Sequence, residues 1–117
     1  MIENFAIGID IVDVNRFRNL QYSQKSSFYR NIFNQNEIDY CLKFQDPYIH
    51  FAGKFALKEA VKKSITSNIH VLKIKTSHKE LKPFITLIDS EKKYIFKASI
   101  SHEKNTAIAI VISELIT

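Results

Sequence analysis

Glycine and proline are scarce in this 117-residue chain, two of each, and tryptophan is absent. With so few breakers the sequence has no flexible linker, no low-complexity segment and no Gly-rich phosphate loop, so any phosphate site must rest on a metal and lysines. The single cysteine, Cys41, cannot close an intrachain disulfide and has no cysteine partner for a metal site. It is expected as a small buried hydrophobe in a reducing compartment. No apolar run approaches the ~20 residues that cross a bilayer, and Met1-Ile2-Glu3-Asn4-Phe5 lacks a basic leader region. A cytoplasmic protein with no membrane partner is the expectation. No Ser or Cys stands in a recognisable nucleophile motif, and no internal repeat is visible.

What is present is apolar mass and positive charge. Hydrophobic residues make up 45% of the chain, enough for one core and too little chain for two, so residues 1–117 are read as a single domain. Seventeen Lys and Arg against twelve Asp and Glu give a net charge of +5, which points to an acidic partner: nucleic acid, anionic membrane, phosphates or an acidic protein.

The periodicity predicts an α+β domain, helices in the first half and antiparallel strands in the second. Phe5 to Val12 is β-branched and reads as a buried strand interrupted by Asp10. Asp13 is placed as the cap of a short helix through Arg18, a second helix runs from Ser26 to Phe33, and Asn36 is placed as the cap of a third over residues 37–44. The central helix is expected at about residues 48–65, with Gly53 marking the close approach of another group. Strands follow at Ile69 to Thr76, Phe84 to Ile88, Tyr94 to Ile100 and Thr106 to Ile112, the last two as a hairpin.

Asp10 and Glu59 are acids in apolar surroundings. On the central helix, at about 100° per residue, Glu59 falls between Phe55 and the small residues Ala52 and Ala56, on the core-like side. Lys63 points nearly the same way, whereas Lys54, Lys58 and Lys62 form a separate ridge of positive charge. If the two acids meet through the fold, their oxygens suit Mg²⁺, and the lysines would neutralise phosphates. Alternatively Asp10 pairs with Arg16 and Glu59 with Lys63, which is ordinary salt bridging. His102 lies where a strand turns into a polar loop and could bind an anion, or simply be solvated. His50, His70 and His78 lack Zn²⁺-ligand spacing and receive no role.

Three segments carry a resemblance. Ile7-Gly8-Ile9-Asp10-Ile11-Val12-Asp13-Val14-Asn15-Arg16-Phe17, Phe51-Ala52-Gly53-Lys54-Phe55-Ala56-Leu57-Lys58-Glu59-Ala60 and Ser99-Ile100-Ser101-His102 resemble, in order, the signatures of the holo-acyl-carrier-protein synthases, a family of 4'-phosphopantetheinyl transferases. The resemblance implies that family's fold, with the amino-terminal strand joining the second-half sheet. It also implies transfer of 4'-phosphopantetheine from coenzyme A to a serine of apo-acyl carrier protein, serving fatty acid biosynthesis and releasing adenosine 3',5'-bisphosphate. In its terms Asp10 and Glu59 match Mg²⁺ ligands, and Glu59, helped by Lys63, is the candidate base. Lys54, Lys58, Lys63, Ser99 and His102 line the coenzyme, and Arg16, Arg18 and Arg30 lie where the acidic carrier docks. The family assembles as homotrimers with sites between subunits. The chain departs from the family at Ser64-Ile65-Thr66-Ser67-Asn68, where a glycine-bearing loop is usual, and at Glu80-Leu81-Lys82-Pro83, which stands for an Asn-Gly-x-Pro turn. A basic nucleic-acid-binding module and a catalytically silent carrier-binding oligomer are the competing readings. Acids at positions 10 and 59 would be harmful in the first.

Overall fold

A computed structural model describes residues 2–116. Its longest helix, α4 (Pro47–Ser64), is the element the others wrap. Pro47 occupies the first turn, where a missing N–H costs nothing, and Asp46 caps the helix by accepting the Tyr48 N–H at 3.2 Å. Before it come β1 (Phe5–Asp13), α1 (Asn15–Arg18), α2 (Tyr22–Arg30) and α3 (Gln35–Leu42). After it come β2 (Ile74–Lys79), β3 (Lys82–Leu87), β4 (Lys93–Glu103) and β5 (Thr106–Ile116). The α+β class is as expected, but the strands divide into two units: an antiparallel sheet in the order β1-β5-β4, and a separate β2-β3 hairpin. Among the described residues no helix is long and apolar enough to cross a membrane.

Two glycines set how closely the layers approach. A Cβ on Gly8 would lie 1.9 Å from the Ala60 carbonyl oxygen, so β1 can run against α4 only where it has no side chain. A Cβ on Gly53 would meet Ile100 of β4 at 3.2 Å, the close approach its place in the helix predicts. On the opposite side of α4, Phe17, Tyr29, Phe33 and Phe51 form a buried aromatic cluster, with Tyr29 and Phe51 rings 4.6 Å apart. The Tyr29 hydroxyl is directed at the carbonyls of Phe17 and Leu20, at 3.0 and 2.7 Å, and burial pushes its phenol pKa strongly upward.

Several boundaries move for identifiable reasons. The second helix, Tyr22–Arg30, is broken by non-helical backbone at Lys25 (φ −129°, ψ 34°), so its continuous part begins at Ser26 as expected; the turn before the kink is held by Tyr22, which packs on Tyr29 and Phe51 and gives its N–H to the Tyr48 hydroxyl at 3.1 Å. It stops before Ile32, whose carbonyl is taken by Lys58 at 2.8 Å. Asn34, not Asn36, begins α3: Glu37 reaches back to the Asn34 N–H at 2.7 Å, the return half of a capping box. Asp13 does not itself cap α1, which begins after Val14, but its carboxylate accepts the Asn15 N–H at 3.0 Å. The strand expected over Ile69 to Thr76 begins only at Ile74; before it lie a loop and a 3-10 turn, Val71–Lys73, capped by the His70 imidazole, which accepts the Leu72 N–H at 3.1 Å.

Strand β1 is buried on one face only. Gly8 and Val12 are buried and Asp10 is half-buried toward α4, whereas Ile7, Ile9 and Ile11 are 62%, 53% and 67% exposed. Ile110 and Ile112 of β5 and Ile95 of β4 extend this apolar surface across the sheet.

Candidate functional site

Asp10 and Glu59 sit on elements in direct contact, β1 and α4. Lys63 of α4 donates to the Asp10 carboxylate at 3.1 Å and to the Ile9 carbonyl at 3.0 Å. Glu59, one turn earlier, lies on the same edge of the helix. Its side chain is 31% exposed, with Lys62 as its cation at 3.8 Å, so it borders solvent and is not on the core-like side its neighbours suggest. The salt bridges therefore differ from both simple pairings: Lys63 pairs with Asp10, and Lys62 with Glu59. Among the described residues no three His, Cys, Asp or Glu side chains gather as a metal cage. A metal here would rest on two carboxylates and on oxygens brought by water or substrate, which is the donor set Mg²⁺ favours. Asp10 already meets a cation, the Lys63 ammonium, on the side facing α4.

The lysine ridge is not a solvent-facing bank. Lys58 is fully buried, and its ammonium spends its three donors on Glu37 at 2.7 Å, the Ile32 carbonyl at 2.8 Å and the Val71 carbonyl at 3.1 Å. Burial lowers its pKa, opposed by Glu37. With every donor engaged inside the core, Lys58 is a structural cation tying α3, α4 and the loop before β2; the coenzyme-binding role expected of it is corrected. Glu37 also accepts the N–H and hydroxyl of Thr76, the former at 2.8 Å. Thr76 in turn receives Lys54 at 3.0 Å.

Lys54 differs from Lys58 in where it ends. It is 4% exposed, yet its head lies at the wall of a cavity of about 470 Å³ between α4, β4 and the β2-β3 hairpin. His102 of β4 lines the same cavity; Ser99 borders it, but pairs with Ile110 and so has its side chain on the open face of the sheet, opposite to that of His102. His102 lies within β4, paired with Ala107 of β5, and not in a loop. Three more residues lining it carried no sequence signal: Tyr40, His50 and His78. His78 stacks on Tyr40 with ring centres 4.6 Å apart, the Lys54 ammonium sits 4.8 Å over the Tyr40 ring, and the His50 ring is 5.9 Å from that of His102. Burial lowers the pKa of His50 and of His78, the former also because of His102 and the latter because of Lys54. Burial likewise lowers Lys54.

The three arginines have different surroundings. Arg16 and Arg30 are exposed, Arg16 lying 5.5 Å from the Phe55 ring centre. Arg18 is committed inside the chain: it donates to Asp46 at 2.8 Å, Asn105 at 2.7 Å, the Lys104 carbonyl at 2.7 Å and Asn15 at 3.3 Å. It thereby clamps α1 to the cap of α4 and to the β4-β5 turn. Although burial opposes it, this contact holds the Asp46 carboxyl below its ordinary value. The hairpin turn at Glu80 and Leu81 takes left-handed backbone at both residues, φ 53° and 69°, conformations that the usual Asn-Gly of this turn adopts cheaply.

The sequence pattern of the 4'-phosphopantetheinyl transferase superfamily matches residues 6–111. The chain is 35% identical over 112 residues to the holo-acyl-carrier-protein synthase of Chlorobaculum parvum, covering 91% of this chain and 95% of that protein. To the protein of the same name from Thermodesulfovibrio yellowstonii it is 36% identical over 119 residues, covering 96% and 98%. Among solved structures, Helicobacter pylori holo-acyl-carrier-protein synthase in complex with coenzyme A superposes with a TM-score of 0.78 at 34% identity, over 92% of this chain and 99% of that one. The Bacillus anthracis synthase in complex with CoA (3',5'-ADP) gives 0.77 at 29% identity, over 93% and 95%.

Proposed function

The chain belongs to the 4'-phosphopantetheinyl transferase superfamily and is an enzyme of the holo-acyl-carrier-protein synthase type, and we propose that it moves 4'-phosphopantetheine from coenzyme A to a serine of apo-acyl carrier protein in a Mg²⁺-dependent reaction. The observation that carries this reading beyond family membership is the meeting of β1 and α4, where Lys63 brings the edge of the helix that holds Glu59 onto Asp10. The serine oxygen forms a bond to the phosphorus nearer the pantetheine, the bridging P–O bond of the pyrophosphate breaks, and adenosine 3',5'-bisphosphate leaves with the bridging oxygen. Asp10 and Glu59 would hold Mg²⁺, which when bound neutralises charge on the pyrophosphate and its leaving oxygen. Glu59, at the solvent border, would take the serine proton directly or through water. Lys63 orients Asp10 and adds positive charge beside the phosphates. Lys54 and His102 receive the nucleotide end of the coenzyme in the cavity they line, with Ser99 at its border on the outer face of β4.

We further propose a homotrimer of single-domain chains with sites between subunits. The face of Ile7, Ile9, Ile11, Ile95, Ile110 and Ile112 is suited to burial against another copy, while one cluster of buried hydrophobics already serves each chain. A subunit boundary of this kind would join the carboxylates of one chain to the cavity of its neighbour. Arg16 and Arg30 offer exposed positive charge to the acidic carrier, whereas Arg18 supports the platform from beneath. The product, holo-acyl carrier protein, would supply fatty acid biosynthesis in the cytoplasm, the reducing setting that suits a lone buried Cys41. Incubation with coenzyme A, Mg²⁺ and apo-acyl carrier protein should raise the carrier's mass by one phosphopantetheine. Absence of that gain with several carriers, including the cognate one, overturns the reading.

A further inference from the structure

Besides Lys54, three histidines line the cavity wall. His50 comes from α4, His78 from β2 and His102 from β4, and all three line the same space as Lys54. They are linked through rings: His50 lies 5.9 Å from His102, Tyr40 stacks at 4.6 Å on His78, Tyr40 lies 6.3 Å from His50, and Phe44 backs His50 at 3.6 Å. The charged or titratable groups facing this space are Tyr40 from α3, His50 and Lys54 from α4, His78 from β2, Lys82 from β3 and His102 from β4. None is a carboxylate; Asp46 at the start of α4 acts on His50 from outside the lining. Such a wall attracts an anion, but holding several charged imidazoles beside Lys54 without one would be unfavourable.

We propose that His50 and His78 join His102 and Lys54 as the receptor for a phosphate monoester of the coenzyme's nucleotide, and that the cavity matches the dianion by taking up a proton on an imidazole as the ligand enters. The proposal rests on the reading of the chain as a coenzyme A-dependent transferase. Its direction follows from the surroundings: in the free protein, burial and neighbouring cations disfavour the charged forms of His50 and His78. A dianion within a few ångströms reverses the balance, since an opposite charge favours the protonated ring. Binding then strengthens as pH falls toward neutrality, by up to about tenfold per pH unit for each proton linked. The two histidines are 28 positions apart in sequence, so only the packing of the hairpin against α4 makes them one site.

The test is titration calorimetry of the full-length protein with adenosine 3',5'-bisphosphate at pH 7.5, where phosphate monoesters, with a second pKa of about 6, are already dianions. Buffers of different ionisation enthalpy at constant salt are compared, with adenosine as the ligand lacking phosphate. The expected result is uptake of roughly half to one proton per bisphosphate, none with adenosine, and a Kd that weakens several-fold between pH 7 and 8. His50→Gln and His78→Gln, each checked for an unchanged circular dichroism spectrum, should each reduce the uptake. Zero uptake by the wild-type protein, uptake equal with adenosine, uptake unchanged in both variants, or no binding of the bisphosphate overturns the proposal. Carrier modification without proton uptake would leave the transferase reading standing and remove only this one. Proton-linked bisphosphate binding without carrier modification would do the reverse.

Discussion

Replacing Glu37 by Gln tests whether the polar centre of the fold is held by charge. The wild-type carboxylate accepts Lys58 Nζ and the Asn34 N–H on one oxygen, each at 2.7 Å, and the Thr76 N–H and hydroxyl on the other. A Gln of the same shape has one acceptor and one NH₂ group. Whichever way the amide turns, its NH₂ confronts donors, and Lys58 loses the anion it pairs with in a place where both side chains are fully excluded from water. Removing one member of a buried pair costs about 3–5 kcal/mol. Against a total of roughly 5–15 kcal/mol for a domain, that is a major loss. At about 3–6 °C per kcal/mol for a chain of this size, the midpoint should fall by roughly 10–30 °C. Unfolding is followed by far-ultraviolet circular dichroism, since the chain has no tryptophan. Protein concentration is held fixed because assembly would add to apparent stability. The double variant Glu37→Gln with Lys58→Met removes the stranded ammonium as well and should recover at least about 1 kcal/mol relative to Glu37→Gln. A single variant within about 1 kcal/mol of wild type, or a double variant showing strict additivity, refutes the argument.

Asp10→Asn and Glu59→Gln should each lower carrier modification about 100-fold or more with the spectrum of the fold unchanged; turnover within tenfold of wild type removes them from the metal site. Ile9→Lys puts an ammonium in the middle of the open apolar sheet face and should shift the particle, measured by light scattering, from about three times 13.6 kDa to 13.6 kDa; an unchanged mass places the contact elsewhere. Leu81→Gly relieves a left-handed leucine that is 98% exposed and so loses no packing, and should stabilise the protein by about 0.5–1 kcal/mol in urea unfolding. Cys41 gives a pH signature. Burial pushes its thiol up to about 12, so its contribution is complete below its unfolded value near 9.0 and is lost as pH rises toward 12. Between pH 9 and 11 wild-type stability should therefore decline more steeply than that of Cys41→Ala, by up to about 1.4 kcal/mol per pH unit, and parallel profiles contradict it.

The parts of the fold legible in the sequence are those specified over short distances. The period of α4, Pro47 at its start, the Gly53 contact and the β4-β5 hairpin are each local, and they placed Asp10 and Glu59 on elements that do pack together. The lysines of α4 show where local information stops. Helical spacing puts Lys54, Lys58 and Lys62 in a row, but it carries nothing about which part of that row another element covers. Because α3 and β2 lie over the first two, Lys54 and Lys58 are buried while Lys62 stays half-exposed. The partner that makes such burial tolerable is Glu37, 21 residues before Lys58. One sequence signal did point to Glu37: the Asn34-x-x-Glu37 spacing is that of a capping box, which favours Asn34 over Asn36 as the cap and turns the carboxylate back toward the chain. Nothing comparable marks His50 and His78, since a histidine on a helix and another on a strand are unrelated until a hairpin closes over them. Burial of α4 on every side but the edge of Glu59, Lys62 and Lys63 also separates its charges by position. Lys58, under the helical layer and the hairpin, holds the structure together, whereas Glu59, one residue on and turned by about 100°, emerges at the solvent border on the edge of the helix that Lys63 joins to Asp10.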